Sequence, residues 1–117
     1  MTEPTRIFHN PRCSKSRQTL ALLQEHGIEP EIIRYLDTPP DEATIRDIVT
    51  RLGTGVRSLI RSGEAEYREL GLDNPALSDD DLVHALTAHP RLIERPVVLH
   101  KGRAVLGRPP ENVLDLL

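Results

Sequence analysis

The sequence predicts an α/β protein built on a mixed four-stranded sheet flanked by helices, with an all-helical insertion between the second and third strands. Three observations predict it. A strand, helix and strand pattern opens the chain, residues 38–90 carry only helical patterns, and two short apolar runs around a glycine turn close the chain. At 117 residues the chain has the length of one domain.

The opening pattern begins with RIFH (6–9), a short apolar run that Asn10-Pro11 ends. Residues 14–26 read as a helix that Gly27 ends as a C-terminal cap. EIIRYL (31–36) reads as the second strand. A connection of this length between two strands predicts a parallel pair with a right-handed crossover.

The middle of the chain carries helix signals from residue 38 to residue 90. TPPD (38–41) is typical of a capped helix start, and Ser78-Asp-Asp-Asp81 reads as the capping box of a later helix that ends at His89-Pro90. Shorter helical pieces are predicted at 56–61 and 64–70. The first of these helices shows the apolar spacing of an amphipathic helix, at Ile45, Ile48, Val49 and Leu52.

The end of the chain reads as a hairpin followed by a helix. PVVLH (96–100) and RAVLG (103–107) flank Lys101-Gly102, a turn that favours antiparallel pairing. A last helix that carries Val113, Leu114 and Leu117 is predicted from Pro109-Pro110 onward. This order of elements is that of the thioredoxin-like class. We therefore expect a single domain over residues 1–117, with a helical insertion at about 38–90.

Charge argues against nucleic acid as a partner, because the net charge is −3 and phosphate binding favours a basic face. Two stretches, 4–24 and 95–110, nevertheless contain no acidic residue and several arginines. If the fold brings them together, they form a local anion site; the alternative is that both are buried strand. MTEPT (1–5) lacks the features of a signal peptide and no apolar run is long enough to span a membrane, so we expect a cytoplasmic protein.

The only cysteine, Cys13, falls in HNPRCSKSR (9–17), at the predicted N-terminus of the first helix. A thiol attacks as thiolate, and its ordinary pKa of about 8.5 leaves little thiolate at neutral pH. The helix N-terminus and the charges of Arg12, Lys15 and Arg17 should lower that pKa. A buried cysteine acting as a small apolar residue is the alternative, which the polar neighbours disfavour.

The residues that follow Cys13 exclude two classes of thiol enzyme. A phosphatase loop needs an arginine at the sixth position after the cysteine, where this chain has Thr19, and a dithiol site needs a cysteine where it has Ser16. Any second thiol must therefore come from another molecule. His9 is predicted to support the thiolate through charge or hydrogen bonding, and no Cys or His spacing predicts a metal site.

Five stretches together resemble the glutaredoxin-linked arsenate reductase family, which is similar in fold to thioredoxin with a helical insertion. They are HNPRCSKSRQTL, RYLDTPP, LIRSGEAEYRELGL, ERPVV and GRPPENVLDLL. The resemblance implies a nucleophilic Cys13 and three oxyanion-binding arginines, Arg61, Arg95 and Arg108. It also implies a cis Arg95–Pro96 bond.

The resemblance further implies reduction of arsenate without a bound cofactor. Cys13 would attack arsenate, glutathione would act as co-substrate, and glutaredoxin would resolve the mixed disulfide. Ser16 would donate a hydrogen bond to the thiolate or serve as a residue of the first helical turn.

One feature departs from the family pattern and leaves alternatives open. Ser14-Lys15 follows the cysteine where arsenate reducers have Gly-Thr, which places the chain in a Cys-Ser-Lys-Ser variant branch. The alternatives are a monothiol glutathione-linked oxidoreductase without a role in arsenic chemistry and a regulator resembling the Spx-type proteins that bind RNA polymerase. Ser16 speaks against the regulator, since those proteins usually carry Cys-x-x-Cys.

Overall fold

The computed structural model describes residues 4–117. The first three residues of MTEPT, the stretch considered above as a signal peptide, lie outside the described residues. The chain divides into two units: one comprises the part before Pro39 together with Arg95–Leu117, and the other comprises Pro39–Glu94. Within residues 4–117, no helix combines the length and apolar character required to cross a bilayer.

The first unit contains the predicted mixed sheet. Its strands are β1 (Arg6–His9), β2 (Glu31–Arg34), β3 (Val97–His100) and β4 (Arg103–Leu106), in the order β2-β1-β3-β4. β1 runs parallel to β2 and antiparallel to β3, and β3 and β4 form the expected hairpin. The turn residues of the hairpin, Lys101 and Gly102, both have positive φ, as two-residue turns of this kind require.

Helix α1 (Ser14–Glu25) packs on this sheet. Gly27 ends it with φ of 77°, and the N–H groups of Gly27 and Ile28 donate to the carbonyls of Gln24 and Leu23, a Schellman arrangement. The core beneath it consists of buried aliphatic side chains from the helix, the sheet and the C-terminal segment: Ile7, Leu23, Val98, Val113 and Leu116.

The second strand is shorter than the predicted 31–36. Among the strands of residues 4–117, β2 lies at the edge of the sheet beside β1, and that ladder ends where His9 pairs with Arg34. Beyond Arg34 the chain leaves the sheet, and Tyr35 and Leu36 form a turn. The interpretation of EIIRYL as one strand was therefore wrong for its last two residues.

The predicted C-terminal helix is present as a 3₁₀ helix over Pro110–Leu116. Three residues per turn place Pro110, Val113 and Leu116 on the buried side. Leu114 and Leu117, which an α-helical period assigns to the core, are 39% and 47% exposed.

The second unit contains α2 (Glu42–Leu52), α3 (Ala65–Glu69), α4 (Asp79–Ala88) and 3₁₀ helices over Val56–Leu59 and Pro90–Leu92. Both predicted caps are present: Asp41 accepts a hydrogen bond from the Thr44 N–H, and Ser78 and Asp81 form the capping box.

The prediction of a helix over residues 56–61 was wrong at its end. Ile60 is extended and forms a β-bridge with Ile93. The Arg61 N–H donates to Leu92 O at 2.7 Å, and the Glu94 N–H donates to Leu59 O at the same distance. This short pairing places Arg61 and Glu94 near each other within the helical unit.

Candidate active site

Cys13 occupies the N-cap position of α1, directly after the loop that follows β1. The loop is tightened by hydrogen bonds from Cys13 N–H to Asn10 O and from Arg12 N–H to Asn10 Oδ1, both 3.0 Å. Arg17 Nη1 donates to Pro11 O at 2.8 Å. The thiol is free and only partly buried. The loop therefore presents the sulfur at the end of the helix with access from solvent.

The surroundings of Cys13 lower the pKa of its thiol. Burial acts in the opposite direction and raises the pKa. Hydrogen bonds to the thiolate outweigh it: the Ser16 N–H, the Arg95 side chain and the Lys15 N–H all lower the pKa, and the positive charge of Arg95 adds to this. The predicted activation of the thiol is present. Its charged source, however, is Arg95, and Lys15 acts through its backbone N–H.

Arg108 follows β4, the second strand of the hairpin, whereas Arg95 precedes β3, the first. Arg108 Nη1 is 3.9 Å from Cys13 Sγ, the outer limit for a hydrogen bond to sulfur, and 3.3 Å from Arg95 O. Arg108 is exposed and Arg95 is partly buried. The stronger influence on the thiolate therefore comes from Arg95, while the Arg108 guanidinium remains accessible to a ligand beside the sulfur. The Arg95–Pro96 bond is cis, as the resemblance implies, and so is Arg108–Pro109.

His9 and Ser16 form a buried pair behind the thiol. His9 Nδ1 and Ser16 Oγ are 2.6 Å apart, and the Asn10 N–H donates to Ser16 Oγ at 3.1 Å. Burial lowers the pKa of His9, and the positive charges of Arg34 and Arg17 lower it further, so the imidazole is neutral at neutral pH. The pair joins the end of β1 to the first turn of α1. The Ser16 group that reaches the thiol is the backbone N–H.

Arg61 belongs to the helical unit and is held there by two carboxylates. Its Nε lies 3.6 Å from Glu64 Oε1 and 3.9 Å from Glu94 Oε1. Its Nη1 is buried and makes no hydrogen bond to any residue within 4–117. The structure thus brings together Cys13, Arg95 and Arg108 in the first unit, which contains the sheet. The role of Arg61 stays a prediction.

Sequence reasoning missed the main-chain donors of Lys15 and Ser16 as specific contacts of the thiol. The available signal was the position of the cysteine at the helix start, where the first N–H groups have no partner within the helix. Within residues 4–117, no group of three or more His, Cys, Asp and Glu side chains is arranged to hold a metal ion.

Residues 8–116 match the ArsC family. The chain is 53% identical over 113 residues to an arsenate reductase of Neisseria meningitidis serogroup B, covering 96% of this chain and 97% of that protein. It is 50% identical to the uncharacterized protein YfgD of Escherichia coli K12, covering 100% of this chain and 99% of that protein.

Among solved structures, the chain superposes on the arsenate reductase from Vibrio cholerae with a TM-score of 0.94. The two are 49% identical, and the match covers 97% of each chain. The match to the family profile, the sequence identity over nearly the whole length and the superposition agree on one assignment: this chain belongs to the ArsC family.

Proposed function

We propose that this protein reduces arsenate to arsenite, with Cys13 as the nucleophile and with glutathione and glutaredoxin as external reductants. The observation that carries the proposal is the partly exposed thiol of Cys13, whose pKa is lowered by backbone N–H groups and by Arg95. The relatives named as arsenate reductases support the choice of oxyanion.

Arginine side chains bind the oxyanion in this proposal. A guanidinium is planar, always charged and able to donate two hydrogen bonds to a tetrahedral oxyanion. Arg95 and Arg108 lie beside the sulfur, so an anion bound to them has its central atom within reach of the nucleophile. Arg61 is assigned to the same oxyanion by the family resemblance.

The reaction begins when the Cys13 thiolate attacks arsenic and displaces one arsenate oxygen, which leaves as water after protonation. Glutathione thiolate then attacks the Cys13 sulfur. A sulfur–sulfur bond forms, the arsenic–sulfur bond breaks, and its electron pair stays on arsenic. Arsenic is thereby reduced from the pentavalent to the trivalent state, and the two sulfurs are oxidised to a mixed disulfide. Arsenite leaves after protonation.

Glutaredoxin completes the cycle in this proposal. Cys13 is the only cysteine in the chain, so the mixed disulfide has no second thiol of the same protein to resolve it. A glutaredoxin thiolate takes the glutathionyl group and releases the Cys13 thiolate. We place this cycle in the cytoplasm, where glutathione keeps thiols reduced.

A coupled assay tests the proposal. The protein is mixed with arsenate, glutathione, glutaredoxin, glutathione reductase and NADPH, and oxidation of NADPH is followed at 340 nm. We expect arsenate-dependent oxidation that disappears when glutaredoxin is omitted or when Cys13→Ser replaces the wild type. Folded wild-type protein that consumes no NADPH above the level without arsenate would contradict the assignment of substrate.

A second candidate is a monothiol glutathione-linked oxidoreductase without a role in arsenic chemistry, favoured by Ser14-Lys15 after the cysteine. Mass spectrometry of Cys13 after mixing with oxidised glutathione, with and without arsenate, separates the two. Glutathionylation that is unaffected by arsenate, together with no arsenate turnover, supports this second function. Protection of Cys13 by arsenate supports the first.

A further inference from the structure

We propose that Gly107 is a positioning residue that sets the distance between the N-terminus of α1 and the two segments carrying Arg95 and Arg108. It does so by direct packing of its Cα against Thr19 of α1. The proposal rests on the proposed function where arsenate binding is concerned. Its structural part concerns the approach of the guanidinium groups to the Cys13 sulfur.

The contact at Gly107 leaves no room for a side chain. A Cβ placed on Gly107 would clash with Thr19 Oγ1 and would lie 2.8 Å from Pro96 Cγ and 3.0 Å from Thr19 Cγ2. Gly107 is not among the glycines with positive φ, so its backbone conformation is open to other residues. Close approach, and not conformational freedom, is therefore the reason for glycine at this position.

Thr19 cannot easily move away from such a Cβ. The side chain is fully buried, and β-branched side chains have few allowed rotamers. Its hydroxyl donates to Lys15 O at 2.8 Å, within the first turns of α1, and lies 3.4 Å from Gly107 O. The Pro96 ring, the other neighbour, is buried and rigid. An added methyl group must therefore displace backbone.

The backbone that would move carries both arginines. The Gly107 N–H donates to Pro96 O at 2.9 Å, which ties it to the residue after Arg95. Arg108 follows Gly107 directly, and its Nη1 is 3.3 Å from Arg95 O. The segments around Arg95 and Arg108 thus form one hydrogen-bonded group. Pushing this group away from α1 moves both guanidinium groups away from the helix end that holds Cys13.

Gly107→Ala tests this role when it is read at the thiol. The rate at which iodoacetamide alkylates Cys13 is measured from about pH 4 to 9, a readout that requires no arsenate. We expect the pH profile of the variant to move toward higher pH, since the Arg95 contact lengthens. Alkylation at low pH should fall by about tenfold, and kcat/KM for arsenate should fall between about tenfold and a hundredfold, as for a displacement of about 1 Å.

Two further variants separate positioning from a general loss of stability. Gly102→Ala is the matched control, because Gly102 lies at the opposite end of β4. With φ of 78°, an alanine there is strained, yet none of the other residues that the structure describes lies within 4 Å of its added Cβ. It should lower the free energy of unfolding and leave the alkylation profile unchanged. Gly107→Ala combined with Thr19→Ala removes two of the three crowding atoms and should restore part of the reactivity.

The proposal is overturned if folded Gly107→Ala has the wild-type alkylation profile, or if the double variant regains no reactivity. If Gly107→Ala does not fold, the double variant is compared with Thr19→Ala alone: slower alkylation in the double variant, in which the added Cβ still lies 2.8 Å from Pro96 Cγ, supports the close packing at Gly107, and identical profiles overturn the proposal. Failure of the arsenate assay in the wild type, with a shifted alkylation profile in Gly107→Ala, would remove the proposed substrate and leave the positioning role intact.

Discussion

Ser16→Ala is expected to destabilise the protein strongly although it removes only one oxygen atom. Ser16 is fully buried and its hydroxyl serves two partners at once, His9 Nδ1 at 2.6 Å and the Asn10 N–H at 3.1 Å. His9 is itself only 6% exposed. Removing the hydroxyl leaves a buried ring nitrogen and a partly buried backbone N–H without their hydrogen bond.

The magnitude follows from those two groups. Leaving a buried donor or acceptor unsatisfied costs about 1–3 kcal/mol. The Asn10 N–H is only partly buried and is assigned about 1 kcal/mol, so the two groups together lower the free energy of unfolding by about 2–4 kcal/mol. For a domain of this length, about 4 °C of melting temperature is lost per kcal/mol, which corresponds to roughly 8–16 °C. Ser14→Ala is the matched control, because Ser14 is exposed at the first position of the same helix, and we expect a change within about 0.5 kcal/mol.

Urea denaturation followed by circular dichroism measures both variants. A double-mutant cycle with His9→Phe then isolates the pair, with an expected coupling energy above about 1 kcal/mol. The reasoning is refuted if Ser16→Ala loses less than about 0.5 kcal/mol, or if its loss equals that of Ser14→Ala, since the buried pair would then contribute nothing to stability.

Three other predictions concern the buried histidines, Arg95 and Arg61. The pKa values of His9 and His100 are lowered mainly by burial. At pH values between these lowered pKa values and about 6.5, the unfolded chain therefore binds more protons than the folded chain. The free energy of unfolding in a urea titration should therefore fall as pH drops below about 6.5 and stay level just above it, and His9→Gln should flatten this slope. Arg95→Ala should slow alkylation of Cys13 at low pH by about tenfold, the effect of one lost charge-assisted hydrogen bond, and Arg95→Lys should restore part of the rate; an unchanged rate in Arg95→Ala would contradict its contact with the thiolate. Arg61→Ala should raise the KM for arsenate by about tenfold in the coupled assay, and an unchanged KM would remove this residue from the oxyanion site.

Local signals in the sequence predict most of the fold and part of the site. The caps at Asp41 and Ser78 and the turn at Gly102 are where their residue types predict them, because each depends on a few neighbouring atoms. The predictions were wrong where a residue distant in the sequence determines the local conformation. Ile60 is extended because it forms a β-bridge with Ile93, which lies far along the chain. The spacing of apolar residues around Ile60 does not reveal such a pairing.

The positions of Arg95 and Arg108 show the same division between local and non-local information. The turn at Lys101-Gly102 sets the hairpin register, in which Val97 pairs with Leu106. One step further out, Pro96 O accepts from the Gly107 N–H, and one more step brings Arg95 opposite Arg108. Their proximity therefore follows from the sequence alone once the hairpin is recognised.

Their proximity to Cys13 does not follow from the hairpin. It requires that β1 lie antiparallel to β3 in the register that pairs Phe8 with Val97. Because this pairing stops at the start of β3, the loop after β1 emerges beside the segment that carries Arg95. The pairing of β1 with β3, which are distant in the sequence, therefore brings the Cys13 sulfur close to the Arg95 guanidinium. No local spacing of residues encodes the register of that pairing. Motif resemblance was needed to predict Arg95 at the thiol because the physical cause is a long-range contact.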